Sequence, residues 1–314
     1  MAIRNIVQPD FLARTKANSL KPGNNRRRTA DFDLVPASNF TFRQLTDGYN
    51  QSRVDYVVPM PMNETKLREY VYNYDVNLDL SVVAVAGQDV LGLGMLGVRE
   101  KRSWITRLGV VPNGRQRGVG RRLMTGLLDN ARQIGANEII LEVIKNNDPA
   151  QRLFERFGFQ PTRELSVIRR PPMPVKIITN GIHIEMVGYR DALDLLSMRT
   201  DTPSWLTDTP SLANAGNLSA LFADLPSGGR GWLVYQNTVF QLTRLILQTD
   251  VGDPNEVANA LLQNLHWRHP IQDTIVENVA ESDWHLPAYQ AFGYLNSFTR
   301  IEMILTLGNY VGVE

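Results

Sequence analysis

The alternation of apolar and polar positions divides the chain into two successive series of strands and helices. Period-two runs rich in Val and Ile predict strands, and apolar residues three or four positions apart, as between Leu67 and Tyr74, predict helices. The first series is predicted to contain a strand (31–36), two helices (40–56 and 63–74), a hairpin (80–86 and 90–98), a strand (103–111), a loop with a helix (113–133), a strand (138–144) and a helix (149–157).

The second series follows a proline-rich segment (169–175), which predicts a stiff linker. The segment 285–294 repeats the pattern of 150–159, including a Phe-Gly-aromatic end. The 314 residues are enough for two domains, so an internal duplication is predicted. The second series is predicted to contain a strand (182–187), a helix (189–199), a hairpin (231–235 and 238–248), a helix (255–267) and a strand (274–279).

Composition narrows the class of protein. No apolar run approaches the length of a membrane span, and the N-terminus lacks the apolar core of a signal peptide, so no membrane partner is expected. The chain contains no cysteine, which excludes disulfide bonds and a thiol nucleophile. His266 and His269 are three positions apart on a predicted helix, but no further ligand is spaced with them. We expect a helix end there and no metal site.

Charge is distributed unevenly, although the net charge is only +1. Residues 1–170 contain 26 Lys and Arg against 17 Asp and Glu, a balance of +9, and residues 171–314 contain 7 against 15, a balance of −8. The acidic half can attract the basic half or favour a cationic acceptor, or the two surfaces can be solvated independently. The run Arg26–Arg28 raises the possibility of nucleic-acid binding. Because no aromatic residues interleave with it, a solvated charge run is the better interpretation, and a nucleic-acid partner is not expected.

The segment 105–120 carries the clearest chemistry. An apolar strand ends at Pro112, a basic loop follows, and a helix pattern begins near Gly120. The first N–H groups of a helix lack intrahelical partners, and the helix dipole adds partial positive charge at the same place. Gly118 and Gly120 let the backbone approach a ligand closely. The loop therefore predicts an anion site of a size suited to a pyrophosphate. It is neither a Walker A loop nor a dinucleotide-binding glycine motif.

The spacing Arg115-x-x-Gly118-x-Gly120 resembles the acyl-CoA signature of the GNAT acetyltransferases, and further motifs follow in the family's order. A strand (138–143), Asn147 and the helix end 153–159 resemble the second half of that site. The resemblance covers residues 31–170. It implies an α/β fold of two GNAT-like domains, each with a mixed, mostly antiparallel central sheet flanked by helices. The implied organisation is an N-terminal arm (1–30), an acyl-CoA-binding domain (31–170), a linker (171–176) and a degenerate GNAT-like domain (177–314).

The resemblance also implies the roles of particular residues. Acetyl-CoA is the implied cofactor. Glu142 resembles the glutamate proposed as the base in the ribosomal-protein alanine acetyltransferase, although a surface or edge-strand glutamate is an equally good interpretation. Phe154 stands where the family commonly has a tyrosine that protonates the thiolate, so either the thiolate leaves unassisted or another hydroxyl, such as that of Tyr56 or Tyr49, serves. The implied cofactor-binding residues are Leu108, Gly109, Val110, Arg115, Gln116, Arg117, Gly118, Val119, Gly120, Arg121, Asn147 and Phe154.

The corresponding loop of the second half differs from the first. Its sequence, residues 249–255, carries Asp250 and Asp253 where the first loop has arginines, and it lacks the second glycine. Negative charge repels a pyrophosphate, so this copy is predicted not to bind CoA.

Three functions compete on these observations. The first is an acyl-CoA-dependent N-acyltransferase that moves acetyl directly to a primary amine on a small molecule or peptide. The second is a CoA-binding sensor or scaffold without turnover, which Phe154 favours. The third is a nucleic-acid-associated protein. Because CoA chemistry is implied, a cytoplasmic location is expected, and a homo-oligomer is possible. The sequence does not specify the acceptor. Four residues are proposed to line its pocket, and core packing is the alternative role for each of them: Tyr49, Tyr56, Met60 and Trp104.

Overall fold

The computed structural model describes residues 32–56, 58, 60–176 and 181–309. The predicted arm (1–30) and Arg26–Arg28 lie outside the described residues. The first series of elements comprises β1 (Asp33–Pro36), α1 (Phe42–Gln51), α2 (Glu64–Asn73), β2 (Val76–Ala86), β3 (Asp89–Arg99), β4 (Arg102–Val110), α3 (Val119–Gln133), β5 (Glu138–Ile144), α4 (Asp148–Arg156) and β6 (Gln160–Arg170).

The second series repeats this order. It comprises β7 (His183–Val187), α5 (Tyr189–Ser197), α6 (Thr209–Ala215), β8 (Leu218–Asp224), β9 (Arg230–Asn237), β10 (Gln241–Val251), α7 (Pro254–Arg268), β11 (Asp273–Ala280), α8 (Leu286–Ala291) and β12 (Leu295–Thr306). Within the described ranges, no helix is both long and apolar enough to cross a membrane.

All twelve strands of the described residues belong to one sheet, in the order β1-β2-β3-β4-β5-β12-β6-β11-β10-β9-β8-β7. Among these strands, β4 pairs with β5 and β10 with β11 in parallel, and the other neighbours are antiparallel. The predicted fold class, α/β with mostly antiparallel strands flanked by helices, is confirmed. The sequence did not indicate that the two halves share one sheet. They join by exchanging strands: β12 lies between β5 and β6, and β6 lies between β12 and β11.

Four elements were absent from the sequence prediction: β6, α6, β8 and β12. The prediction that the linker begins at residue 169 is wrong, because β6 continues through Arg170. The side chain of Arg170 is buried, and it donates hydrogen bonds to the carbonyl oxygens of Phe292 at 2.7 Å and Met173 at 2.8 Å. Because its charged group has internal acceptors, Arg170 can be buried at the end of a strand. The sequence shows only a charged residue at this position, so it gave no indication that β6 continues there.

The first helix is shorter than predicted. It begins at a capping box of Thr41 and Gln44 and ends at Gln51, rather than continuing to residue 56. The hydroxyl of Ser52 donates to the carbonyl oxygen of Tyr49 at 2.7 Å and so satisfies an acceptor in the last turn. The chain after this end carries Asp55 and Tyr56 to the cleft described below.

Helices cover both faces of the first half of the sheet. On one face, α3 buries Leu123, Met124, Leu127 and Leu128 in a core shared with residues of β2, β3 and β5. On the other face, α1 and α2 bury Tyr49, Leu67 and Tyr70 in a separate core with Trp104 and Trp205. Burial of these side chains fixes both helix layers against the sheet. It places the N-terminal end of α3 and the C-terminal end of α1 beside β4.

Candidate active site between strands β4 and β5

A cleft opens where β4 and β5 separate. The two strands pair only from Arg102 opposite Glu138 to Ile105 opposite Leu141. Arg107 then adopts a positive φ of 52°, and the register of β4 against β3 shifts there, which marks a β-bulge. Leu108, Gly109 and Val110 follow the bulge and line the cleft, so their backbone faces the gap left by β5. The cleft encloses about 910 Å³.

The N-terminus of α3 forms one end of the cleft. Gly118 precedes the helix with a φ of 82°, in the left-handed region, and offers no side-chain cap. The N–H groups of residues 116–121 donate to no acceptor among the described residues, and the first bond of the turn runs from Arg122 N to Gly118 O at 3.0 Å. Because helix N-termini with unpaired N–H groups attract anions, this end suits a phosphate group.

The arginines of the loop differ in their positions. Arg115 lines the cleft but pairs with Asp55, with Nη2 2.7 Å from Oδ1 of that carboxylate. A side-chain hydrogen bond from Arg115 lowers the pKa of Asp55. Gln116, Val119, Gly120 and Arg121 also line the cleft, whereas Arg117 is exposed and does not. The positive charge available to an anion therefore comes from Arg121 and the helix, with Arg115 shared between the cleft and Asp55.

Glu142 lies on β5 in the wall of the cleft, with a side chain only 6% exposed. Burial raises its pKa from the usual 4.5 to about 7, and the nearby carboxylates of Glu302 and Glu277 act in the same direction. Two contacts oppose this rise. Arg300 Nη1 lies 3.8 Å from Glu142 Oε2, and Asn278 Nδ2 donates to Glu142 Oε1 at 2.8 Å. The carboxyl therefore titrates near neutral pH, as suits a general base.

Both side chains that contact Glu142 come from the second half. Arg300 is on β12, which pairs with β5, and Asn278 is on β11 at a bulge with a φ of 56°. Arg300 also pairs with Glu277 at 2.7 Å. Sequence reasoning missed all three residues, since no local motif surrounds them. The bulge at Asn278 becomes evident only in the folded sheet, so the sequence carries no signal for it.

Asn147 and Tyr56 meet across the cleft. Asn147 Nδ2 donates to the hydroxyl oxygen of Tyr56 at 3.2 Å, which leaves the hydroxyl proton of Tyr56 free to be donated elsewhere. Phe154 lines the cleft from α4 and packs edge-on against Phe159, with ring centroids 6.3 Å apart. The phenyl ring supplies an apolar wall there and no proton.

Aromatic side chains line the inner end of the cleft, which we call the inner chamber; its residues are Tyr70, Tyr74, Trp104, Arg107, Glu142, Leu206, Glu277 and Arg300. Trp104 stacks on Trp205, with ring centroids 5.8 Å apart. The hydroxyls of Tyr70 and Thr106 are 2.6 Å apart, and burial raises the pKa of Tyr70. Of the predicted acceptor-pocket residues, Tyr56, Met60 and Trp104 line the cleft. Tyr49 is buried behind it and accepts a hydrogen bond from Arg107.

The matching cleft of the second half, about 630 Å³, lies between β10 and β11. There the N-terminus of α7 is already capped, because the Asp253 carboxylate accepts the N–H of Glu256 at 2.9 Å. His266 is buried with its ring 2.9 Å from the Tyr294 hydroxyl, and burial lowers its pKa to about 3. His269 lies at the end of α7 and contacts Tyr235. Among the described residues, no three metal-binding side chains cluster.

Removing the charge of Arg300 should raise the pKa of Glu142 above 7. In Arg300→Met the carboxyl keeps its burial but loses the cation that favours its ionised form. The measurement is a ¹³C NMR titration of the Glu142 carboxyl in the folded protein. Lys145→Met is the matched control, since Lys145 pairs with Glu164 at 2.7 Å outside the cleft. An unchanged or lower pKa in Arg300→Met would contradict the assignment, and Arg300→Lys should recover most of the shift.

Comparison with known proteins supplies a family likeness for the first half. Residues 46–159 match the model of the acetyltransferase (GNAT) family. The matched region runs from α1 to the end of α4, and so it contains the α3 N-terminus, Glu142 and Asn147.

Solved structures match across both halves. A GCN5-related N-acetyltransferase from Sphaerobacter thermophilus aligns with a TM-score of 0.67 at 15% identity, over 90% of this chain and 98% of that one. A tandem GNAT protein from the clavulanic acid biosynthesis pathway aligns with a TM-score of 0.62 at 15% identity, over 87% and 98%. A glucosamine N-acetyltransferase region of a fungal multi-domain GH3 β-N-acetylglucosaminidase aligns with a TM-score of 0.69 at 15% identity, over 87% and 38%. At these identities the likeness shows the fold alone.

Proposed function

We propose that the protein is an acyl-CoA-dependent N-acyltransferase that moves acetyl from acetyl-CoA to a primary amine, because residues 46–159 match the model of the acetyltransferase (GNAT) family. One observation carries the proposal: a buried carboxyl with a pKa of about 7, that of Glu142, shares a cleft with the unpaired N–H groups at the start of α3. The first feature suits a base and the second suits a pyrophosphate.

The cleft fits acetyl-CoA on two features of this chain. The N–H groups of residues 116–121 have no acceptor among the described residues and would hold the pyrophosphate. An added Cβ at Gly118 would meet nothing within 4 Å, and one at Gly120 would make only ordinary contacts with Leu153 and Val110, at 3.5 and 3.7 Å, so the start of the helix is not obstructed. Leu108 to Val110 would hold the pantetheine arm, and Asn147 and Phe154 would border it. When bound, acetyl-CoA supplies an activated acyl thioester.

Glu142 would take a proton from the acceptor amine, directly or through a water molecule. An amine must be neutral at nitrogen to attack a carbonyl carbon, and a base with a pKa near 7 is half ionised at neutral pH. Asn278 donates to one carboxyl oxygen and so fixes the orientation of the group, while Arg300 limits the rise of its pKa. The second half thus contributes to the chemistry of the first without binding CoA itself.

Tyr56 would supply the proton that the leaving sulfur requires. Its hydroxyl oxygen accepts a hydrogen bond from Asn147, so the hydroxyl proton is available for donation. Tyr56 lines the same cleft as Phe154, whose phenyl ring has no proton to donate. The acceptor remains a small molecule or a peptide amine in this proposal. We place the activity in the cytoplasm, where acyl-CoA is available, and a homo-oligomer stays a prediction.

The test is calorimetric titration of the protein with acetyl-CoA, followed by a thiol-release assay with a panel of amines. We expect micromolar affinity and acetyl-dependent thiol release with at least one amine. No binding would overturn the proposal. Binding without turnover of any amine would leave the CoA-binding sensor, the function that Phe154 favours, as the better assignment.

A further inference from the structure

Several guanidinium groups in the wall of the cleft lack a carboxylate partner among the described residues, and two of these, Arg53 and Arg107, lie away from α3 and α4. Three other arginines of the wall are paired: Arg115 with Asp55, Arg152 with Asp148, and Arg300 with Glu277. Within the described residues, no carboxylate oxygen lies within 4.0 Å of a nitrogen of Arg53 or Arg107. The Nε of each is buried without a hydrogen-bond partner. The cleft therefore presents more positive than negative charge.

Arg107 is the one that faces the inner chamber. It projects from the bulge of β4, where Nη1 donates to the Tyr49 hydroxyl at 2.9 Å and the guanidinium lies 4.0 Å from the centre of the Tyr70 ring. The charges of Arg107 and Glu142 both act on the pKa of Tyr70, so these two groups border the same space. A neutral phenol and an aromatic face compensate a desolvated cation only in part.

An anion in the inner chamber would complete the coordination of Arg107. A guanidinium offers five N–H donors in a planar fork that matches a carboxylate or a phosphate, and here a single one of those donors has an acceptor among the described residues. Arg300 lies close enough to repel Arg107, which adds to the attraction for an anion. The neighbouring Glu142 offsets only part of this charge at neutral pH, since with a pKa of about 7 its carboxyl is half ionised there.

We propose that the acceptor is an amine that carries an anionic group, a carboxylate or a phosphate, on the same small molecule, and that Arg107 binds that group while the amine lies at Glu142. This inference rests on the proposed function. It differs from the cationic acceptor that the acidic second half left open as one alternative. The overall charge of a half is spread over its surface, whereas the inner chamber contains Arg107, which has no carboxylate partner among the described residues, and Arg300, which pairs with Glu277.

The experiment compares amines that differ only in the anion. The pairs are 4-aminobutyrate with n-butylamine, and O-phosphoethanolamine with ethanolamine; spermidine represents cationic acceptors. We expect wild type to prefer the anionic member of a pair by about 30-fold or more in kcat/KM, as for a partly desolvated charge pair. The pair with the larger preference identifies carboxylate or phosphate. Equal use of both members, or a preference for spermidine, would overturn the proposal.

Arg107→Met tests the residue. We expect KM for the amines that carry an anion to rise about 30-fold or more, with KM for the amines that lack the anion and the affinity for acetyl-CoA unchanged. Arg107→Lys, which keeps the charge but not the fork, should be intermediate. Arg102→Met is the matched control, because Arg102 lies on the same strand and pairs with Asp208 outside the cleft. An equal loss with every amine would show that Arg107 only supports the fold and would overturn its assignment.

A binding measurement separates this inference from the proposed function. Calorimetry of 4-aminobutyrate and O-phosphoethanolamine into the CoA-saturated protein reports on Arg107 without turnover. Binding to wild type that Arg107→Met loses would support the anion site even if no amine is acetylated. No binding of either compound to a protein that acetylates amines without an anionic group would overturn the anion site and leave the proposed function in place.

Discussion

Replacing Glu142 with glutamine is expected to lower kcat by about 100- to 1,000-fold, the range usual for loss of a general base. Glutamine keeps the size of the side chain and can still contact Asn278, but it cannot accept a proton. The rate of wild type should rise with pH and level off above about 7, because only the ionised carboxyl acts as a base. In Glu142→Gln this dependence on pH should disappear.

The measurement is the pH profile of kcat with one amine, with Glu138→Gln as control. Glu138 begins the same strand and does not line the cleft, so its replacement should leave both rate and profile unchanged. A Glu142→Gln enzyme with near wild-type kcat and an intact pH limb would refute the role of this residue.

The dependence of folding stability on pH reports the pKa of the Glu142 carboxyl without any substrate. Its pKa in the folded protein, about 7, lies above the usual 4.5, so the folded state binds the proton more tightly than the unfolded state does. The free energy of unfolding should therefore fall as pH rises from about 4.5 to 7, and this contribution should be missing in Glu142→Gln. Denaturant unfolding of both proteins across this range checks the sign.

Replacing Gly120 with glutamate is expected to weaken acetyl-CoA binding by about 100-fold or more while leaving the protein folded. The change places a carboxylate beside the N–H groups proposed to hold the pyrophosphate, where like charges repel. The fold should tolerate it, because a glutamate in the first turn of a helix is favourable and glycine is a poor helix former. The added Cβ meets Leu153 at an ordinary 3.5 Å.

Calorimetry with acetyl-CoA measures this effect, and two variants at the same position separate its causes. Gly120→Ala adds only the Cβ and should lose far less affinity than Gly120→Glu. Gly120→Gln has the size of glutamate without its charge and should lose less affinity than Gly120→Glu. Unchanged affinity in Gly120→Glu would exclude the start of α3 as the anion site, whatever the activity of the protein.

Signals that are local in sequence predicted the first half well. The strand over 138–144 occurs as predicted, and the spacing of Arg115, Gly118 and Gly120 indicated a loop before a helix, as observed. These features depend on periodicity and on residues a few positions apart, which is the range over which a sequence specifies backbone shape. The fold class followed from the order of such elements.

Features that depend on pairing across the sheet were not predictable. β6 and β12 carry charged residues such as Arg169, Arg300 and Glu302 that are buried or paired only because of the exchange between halves. Their patterns do not resemble strands, so the linker was placed too early. For the same reason Arg300 and Asn278 escaped notice, and the environment that sets the pKa of Glu142 was invisible in the sequence.

The position of β12 bears on how the protein is made. A ribosome synthesises domains from the N-terminus, and an early domain usually folds before the next one emerges. Here β5 meets its neighbour β12 only after every other strand has been synthesised. Until then β5 and β6 present unpaired edges, which other chains can join, and Glu142 lacks Arg300. The growing chain therefore contains the loop proposed to bind acyl-CoA for most of its synthesis before the wall around Glu142 is complete.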